Sequence, residues 1–210
     1  MNRLFYLWAR IQKRSAFGGK NMRSNTMKKK TIVIAIACTA FAMTACQDNR
    51  GCTYNADEHS LTCPEKTYAT LDIGGNVWMA ENLVVYSPDS SICYDNNHDN
   101  CVSMGRLYTW EVASGSVCPT GWRLPTQQEF KDAFGTADVG SLKKADVFNM
   151  QFAGFKYYDG KFADRGASAS FWTAEAYDDS RAYLVRVTDS SVAYEHFNKN
   201  IFASVRCVKE

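Results

Sequence analysis

The cysteines constrain the fold of this 210-residue chain more strongly than any other residue type. An even set of cysteines is typical of a disulfide framework in an exported protein, whereas a cytosolic protein more often uses them for metal binding or catalysis. The chain has no Cys-x-x-Cys pair and only three histidines, widely separated, so we predict disulfides, with no metal site and no cofactor. Spacing alone does not choose among the possible pairings. The cysteines of this framework are Cys52, Cys63, Cys93, Cys101, Cys118 and Cys207.

The segment before Cys46 has the parts of a bacterial secretion signal. Three lysines follow Met27 as a positively charged start, and residues 32–43 then form an apolar stretch. That stretch is shorter than the roughly 20 residues that a membrane-spanning helix needs. It ends in Met-Thr-Ala-Cys46, which resembles the lipobox of bacterial lipoproteins and implies a lipid on the Cys46 thiol and cleavage before that residue. The alternative is an ordinary signal peptide cleaved elsewhere, with Cys46 unmodified.

The start of the chain allows two interpretations. A chain that starts at Met27 has a more typical secretion signal than one that starts at Met1. Residues 1–26 are therefore either a start-site overcall, with translation starting at Met27, or an extended basic segment. In both cases we predict a signal peptide over 27–45 and a protein held at a membrane by lipid on Cys46. Gln47 rather than Asp follows that cysteine, which favours the outer membrane or the cell surface.

The charge of the chain is divided unevenly. Residues 1–45 hold nine lysines and arginines and no acidic residue, while the whole chain has 24 cations against 22 acids. The part from residue 46 onward therefore has 15 cations against 22 acids, a net charge of −7. Because the exported part is acidic, we exclude nucleic acid as a partner.

The exported part has the length of one domain. We predict this domain over residues 68–210, preceded by the lipid anchor and a small disulfide-closed segment over 46–67. Within that segment, the simplest interpretation is a hairpin closed by Cys52 and Cys63.

Signals for short strands outnumber those for helices. Thr126-Gln-Gln-Glu129 is a capping-box pattern that predicts a helix of about two turns ending near Gly135. Residues 107–113 and 139–145 are each compatible with a further short helix, for about two short helices in all, and a polar loop is expected over 93–101. Strands are expected over 68–73, 76–79, 152–158, 161–163, 171–174, 182–188, 192–197 and 203–208. This pattern predicts an α+β domain.

Six sequence blocks carry a resemblance to a known family. In chain order they are Asn76-Val-Trp-Met-Ala-Glu-Asn-Leu83, Cys93-Tyr-Asp-Asn-Asn97, Gly105-Arg-Leu-Tyr-Thr-Trp110, Cys118-Pro-Thr-Gly-Trp-Arg-Leu-Pro-Thr126, Phe171-Trp-Thr-Ala-Glu175 and Ser204-Val-Arg-Cys-Val-Lys209. Together they resemble the Fibrobacter succinogenes major paralogous domain, over residues 68–210. The resemblance implies an exported or lipid-anchored protein with a C-type-lectin-like fold, related to that of formylglycine-generating enzymes. It also implies the pairs Cys118–Cys207, Cys93–Cys101 and Cys52–Cys63.

Catalytic and metal sites of familiar types are not expected. Asp95-x-Asn97-x-Asp99 alternates oxygen ligands as calcium loops do, but Arg106 stands where an EF-hand places its bidentate glutamate. Formylglycine-generating chemistry needs two cysteines near the C-terminus, and this chain has only Cys207 there. The three histidines, His59, His98 and His196, have no neighbouring nucleophile or acid at a useful spacing. We therefore expect no enzyme activity and surface positions for the histidines.

Aromatic residues remain as the basis for a binding surface. The four tryptophans of the exported part, Trp78, Trp110, Trp122 and Trp172, are expected in the core. Tyrosines among the C-terminal hairpins could instead stack on sugars or anchor a protein interface. These candidates are Tyr157, Tyr158, Tyr177, Tyr183 and Tyr194.

Three functions follow from these observations. The first is a surface module without catalytic activity that binds a polysaccharide or an envelope protein. The second is a purely structural, disulfide-stabilised surface protein, and the third is an enzyme on a formylglycine-generating-enzyme-like fold. An exposed cluster of the tyrosines would favour the first over the second, and a cleft with a strongly perturbed ionisable group would favour the third.

Overall fold

The computed structural model describes residues 51–115, 117–135 and 137–210. The predicted signal peptide, Cys46 and residues 1–26 lie outside these ranges. Within them, three α-helices span His98–Met104 (α1), Trp110–Gly115 (α2) and Gln127–Phe134 (α3), with 3-10 turns at Tyr94–Asn96 and Ser141–Lys143. No helix of the described residues is long and apolar enough to cross a bilayer.

Fourteen short strands accompany these helices in the described ranges, which makes the domain α+β as predicted. They are Thr53–Asn55 (β1), Ser60–Thr62 (β2), Thr67–Ile73 (β3), Asn76–Met79 (β4), Ser91–Ile92 (β5), Leu107–Tyr108 (β6), Trp122–Arg123 (β7), Phe155–Lys156 (β8), Phe162–Ala163 (β9), Ser168–Ala176 (β10), Arg181–Thr188 (β11), Val192–Asn198 (β12), Ala203–Ser204 (β13) and Val208–Lys209 (β14).

The strands form two six-stranded sheets and one small hairpin. The first sheet has the order β1-β2-β3-β4-β14-β7, the second β12-β11-β10-β13-β6-β5, and β8 pairs with β9. The hairpin β1–β2 continues the first sheet, because β2 pairs with β3. In the second sheet β10 and β11 are apolar on both faces: Leu184 packs into one core cluster and Val185 into the other.

Helix α3 lies against the second sheet and is anchored at its N-terminus. Thr126 and Glu129 form the predicted capping box, and Arg123 donates two hydrogen bonds to Glu129, of 2.8 and 2.6 Å. These hydrogen bonds from Arg123 lower the pKa of Glu129, against the opposing effect of burial. The amide of Gln127 donates to Glu175 at 3.1 Å, which ties the helix to the end of β10.

Several local expectations were wrong. Residues 107–108 form β6 ahead of α2, and 139–145 contains a 3-10 turn instead of an α-helix. The segment 93–101, expected as a polar loop, contains a 3-10 turn and the first turn of α1, because the Asn97 side chain accepts from the amide of Asp99 and caps the helix. The segment 203–208, expected as one strand, contributes β13 to the second sheet and β14 to the first. Residues 205–207 cross between the sheets.

The crossing segment carries a fully buried cation, Arg206. Its guanidinium donates to Asn82 Oδ1 at 2.8 Å, to Gln151 Oε1 at 3.1 Å, and to the carbonyl oxygens of Phe148 and Asn149. The rings of Phe148 and Phe171 lie 4.4 and 5.4 Å from its central carbon. Among the described residues no carboxylate lies within 4.0 Å of it, and burial lowers its pKa to about 9. Neutral oxygens and ring faces therefore stabilise this charge.

Asn82 connects Arg206 to the C-terminal end of α1 through hydrogen bonds to both. Its Nδ2 donates to the carbonyl of Met104, the last residue of that helix, at 2.9 Å. Gly105 follows with φ +80°, and a Cβ there would lie 2.5 Å from the Cβ of Asn82. Only glycine therefore allows the helix to end against Asn82.

The described residues contain three disulfides, and these join the pairs that the resemblance implied. Cys52–Cys63 and Cys93–Cys101 close loops with sequence separations of 11 and 8, while Cys118–Cys207 spans 89. The long bridge joins Cys207, the neighbour of Arg206, to Cys118 in the segment that leads into β7. It therefore links two buried segments at the centre of the fold.

We expect the three bridges to differ in their contribution to stability according to loop length. On the chain-entropy model, removing Cys118–Cys207 as C118A/C207A should lower the free energy of unfolding by about 4–5 kcal/mol, against about 3 kcal/mol for C52A/C63A. Urea denaturation of the two double variants measures this difference. Equal losses would show that loop length does not govern the contribution of the bridges.

Candidate binding site

An exposed aromatic cluster lies at the hairpin between β10 and β11. The ring of Tyr177 stacks on His196 with centroids 3.9 Å apart and planes inclined by 16°, and Tyr183 meets Tyr177 edge-on at 5.4 Å. Tyr183 and His196 are direct neighbours across β11 and β12. Tyr177 remains 45% exposed and His196 is exposed as well. We call Tyr177, Tyr183 and His196 the aromatic patch.

The turn that carries Tyr177 is held by one carboxylate. Asp178 accepts from the amides of Ser180 and Arg181 at 2.9 and 2.7 Å, and its other oxygen accepts from Arg181 Nε at 2.8 Å. The Arg181 guanidinium is the main reason that the pKa of Asp178 lies well below its usual range. The same guanidinium lies 4.7 Å from the centre of the Tyr177 ring. The patch therefore combines rings with a cation in a fixed position.

Tyr194 extends the same face of the sheet towards α3. It pairs with Val185, two residues along each strand from the Tyr183–His196 pair, so it points to the same side. Lys131 of α3 lies 5.0 Å from the Tyr194 ring. Burial raises the pKa of Tyr194, with a smaller contribution from Asp132. This tyrosine is half-buried and forms the edge of the patch rather than its centre.

Tyr157 and Tyr158 lie elsewhere. Tyr157 packs edge-on against Phe155 at 4.7 Å, and Phe155 contacts Phe197, which points to the opposite face of the sheet. Tyr158 is 72% exposed in the turn after β8. The five candidate tyrosines thus divide into three on the face of α3 and two at the β8–β9 hairpin, outside the patch.

The remaining aromatic and histidine candidates have simpler positions. Trp78 and Trp172 are fully buried, Trp122 is nearly so, and Trp110 is partly buried with its indole donating to the carbonyl of Thr173 at 2.9 Å. All three histidines are exposed, and His59 lies 3.5 Å from Asp72. No group of three potential metal-ligating side chains occurs among the described residues.

A second surface feature was not visible in the sequence. A cavity of about 410 Å³ runs between α1 and residues 84–86, and we call it the α1 groove. Arg106 lies in it, with its guanidinium 4.9 Å from the centre of the Tyr86 ring. The signal that could have located it is the exposed Val102 within a short polar helix, which is only apparent once α1 is known to be a helix.

Two buried tyrosines support the segment 84–86, which lines this groove. The hydroxyl of Tyr68 accepts from the amide of Val84 at 3.2 Å, and the hydroxyl of Tyr108 donates to the carbonyl of Val85 at 2.7 Å. Burial raises the pKa of Tyr68 to about 12 and that of Tyr108 well above its ordinary value. Both therefore stay protonated in the folded protein at pH values where the unfolded chain loses the proton.

Comparison with known proteins gives one match. Residues 71–137 match the family model described as Fibrobacter succinogenes major domain, about a third of the chain. This range contains the first four of the six blocks and excludes the blocks at 171–175 and 204–209. No curated protein and no solved structure matches the chain, so the C-type-lectin-like relationship stays a prediction.

We expect stability to fall as the pH rises from about 10 to 12. The pKa of Tyr68 is raised above its unfolded value, so its contribution is complete below pH 10 and is lost as the pH approaches 12. In Y68F the slope of unfolding free energy against pH in this window should be less steep, by at most about 1.4 kcal/mol per pH unit. Urea denaturation between pH 8 and 12 tests this expectation. Parallel curves for Y68F and wild type throughout would contradict it.

Proposed function

We propose that this chain, a member of the Fibrobacter succinogenes major domain family, is a lipid-anchored surface protein whose exported domain binds a polysaccharide without catalysing a reaction. The family itself indicates a surface protein. The lipid anchor, the polysaccharide and the absence of catalysis are the parts that we add.

The lipid anchor is supported by the sequence before the domain. A basic start after Met27, an apolar stretch and Met-Thr-Ala-Cys46 stand in the order that lipoprotein processing requires. Three disulfides in the domain fit an oxidising compartment outside the cytoplasm. Cys46 precedes Cys52 by few residues, so the domain would lie close to the membrane surface.

The aromatic patch is the observation that carries the binding function. Tyr177 is 45% exposed although its ring already contacts His196 and Tyr183. Its position is fixed by Asp178 and Arg181. Tyrosine and arginine are the residues enriched in binding hot spots, because they offer a large apolar area together with polar groups.

Sugar rings fit the chemistry of this patch. A pyranose presents C–H groups on its face and hydroxyls around its rim. His196 and Arg181 cover the two faces of the Tyr177 ring, so its exposed edge is the part that can contact the sugar face. The hydroxyls of Tyr177 and Tyr183 and the Arg181 guanidinium can bond to the rim. Binding costs little side-chain conformational entropy, because the rings already pack against one another.

The absence of catalysis is supported by the side chains available. The six cysteines of the domain are all in disulfides, so the described residues offer no thiol nucleophile. His59 contacts Asp72 and His196 stacks on an aromatic ring, and neither contacts a nucleophile among the described residues. The strongly perturbed groups Tyr68, Tyr108 and Arg206 are buried in structural hydrogen bonds. Asp178, which is also strongly perturbed, is engaged by Arg181 and by the amides of its own turn.

The test uses the oxidised domain from residue 48 to 210 and a panel of soluble and insoluble polysaccharides. Y177A should weaken binding to the polysaccharide that the wild type retains by about tenfold or more, a typical effect for a hot-spot aromatic residue. Y158A is the matched control, because Tyr158 is also exposed but lies outside the patch. Affinity electrophoresis or pull-down on the insoluble material measures the difference.

Three results would contradict the proposal. Equal losses in Y177A and Y158A would remove the patch from binding. Retention of no polysaccharide by a folded, oxidised domain would favour a structural role or a protein partner. Processing at a site other than Cys46, found by mass spectrometry of the membrane fraction, would refute the lipid anchor.

A further inference from the structure

We propose that the α1 groove binds a small carboxylic acid with an apolar body. This site is separate from the aromatic patch and does not depend on the function proposed for that patch. It rests on a cation held in a fixed position, the balance of charge around it, and an exposed apolar wall.

The groove has the size of a small-molecule site. Its volume of about 410 Å³ lies within the ~300–1,000 Å³ that such sites usually have. One wall is α1, which ends where Asn82 binds the carbonyl of Met104. Another wall is the segment 84–86, whose backbone is hydrogen-bonded to the buried hydroxyls of Tyr68 and Tyr108. Both walls are thus fixed before any ligand arrives.

Arg106 is positioned by contacts that leave part of its guanidinium free. Its Nε donates to Ser91 Oγ at 3.1 Å, and its Nη1 lies 3.4 Å from the sulfur of Cys101 and 3.5 Å from that of Cys93. The Tyr86 ring covers the guanidinium at 4.9 Å. Among the described residues, Nη2 has no acceptor and no carboxylate lies within 4.0 Å of the group. A cation held in this way can donate to an incoming anion without reorganising.

The charges along the groove favour an anion with a single charge. Lys66 lines the groove but forms an ion pair with Glu81, and Glu65 adds a negative charge to the same wall. The charges of Glu65 and Arg106 cancel over the groove as a whole, but among the described residues Arg106 has no carboxylate within 4.0 Å, so a single negative charge can pair with it directly. A carboxylate matches one guanidinium, whereas a dianion would meet repulsion from Glu65.

The apolar part of the ligand is indicated by exposed side chains. Val102 is 66% exposed and Tyr86 is 63% exposed, and both line the groove with the half-buried Val84. These two are among the few large apolar residues that the described part of the chain leaves in contact with water. An aryl or branched alkyl group beside the carboxylate would cover them and gain the free energy of apolar burial.

The first experiment titrates the oxidised domain with 3-phenylpropionate and with its neutral amide. Changes in the backbone amide NMR signals of Val102 and Arg106 report on the site. We expect the acid to bind at least tenfold more tightly than the amide, because a charge-assisted hydrogen bond is lost in the amide. Inorganic phosphate should compete poorly, since it lacks the apolar group.

Substitutions at Val102 separate the charge from the shape of the groove. V102E and V102K both replace the exposed valine by a charged side chain, and the two variants carry charges of opposite sign. V102E should bind the acid at least tenfold more weakly than V102K does. R106Q should abolish the preference for the acid over the amide, and K131Q, which lies at the edge of the aromatic patch, should leave it unchanged.

A free acid and the C-terminus of a peptide share this chemistry. A tripeptide ending in phenylalanine and its C-terminal amide distinguish these sources. Tighter binding of the peptide acid than of 3-phenylpropionate would identify a chain terminus as the ligand, and the reverse would identify a free acid.

Several outcomes would overturn the proposal. They are equal affinity for acid and amide, equal affinity in V102E and V102K, competition by phosphate as strong as by the acid, and no binding of any probe. Because V102E and V102K do not touch the disulfide or the Ser91 contact, they test the site even if R106Q fails to fold. Polysaccharide retention by the same variants tests the aromatic patch separately.

Discussion

Burying the guanidinium of Arg206 without a carboxylate costs free energy that the surrounding groups have to offset. Asn82, Gln151 and the carbonyl oxygens of Phe148 and Asn149 accept its hydrogen bonds, while Phe148 and Phe171 cover it. These acceptors come from chain segments far apart in sequence. The charge is stable only when all of them are in place, so it favours one arrangement of the loops around the two sheets.

Both surface features depend on this arrangement. Asn82 binds Arg206 through its oxygen and the end of α1 through its nitrogen, so the buried charge sets the position of the wall of the α1 groove. Phe171 lies in β10, the strand that leads to Tyr177 and the aromatic patch. Cys207, next to Arg206, forms the longest of the three disulfides. The irregular loops of the domain are thus fixed by a few buried polar groups rather than by long regular elements.

The sequence predicted what depends on local patterns. The capping box at Thr126, the strands expected over 68–73 and 76–79 and the α+β class follow from residues close together in the chain. Helix α1 was missed because its residues are polar and its cap is a single side chain, that of Asn97. The division of 203–208 between two sheets was missed because a buried arginine contradicts the usual pattern of strand burial.

The candidate surfaces could be predicted only in part, for a similar reason. Tyr177 and Tyr183 were identified as candidates, but their contact with His196 depends on the register of β11 and β12, which no local pattern reveals. Arg206 has no sequence signature as a buried residue. Its role is tested by R206K, since lysine keeps the charge but cannot reach four acceptors at once. We expect the free energy of unfolding to fall by about 3 kcal/mol or more, with loss of amide protection at 148–151 and at the end of α1. R165K, at an exposed position without an ion pair among the described residues, should change stability by no more than about 0.5 kcal/mol. Unchanged stability and protection in R206K would contradict the account.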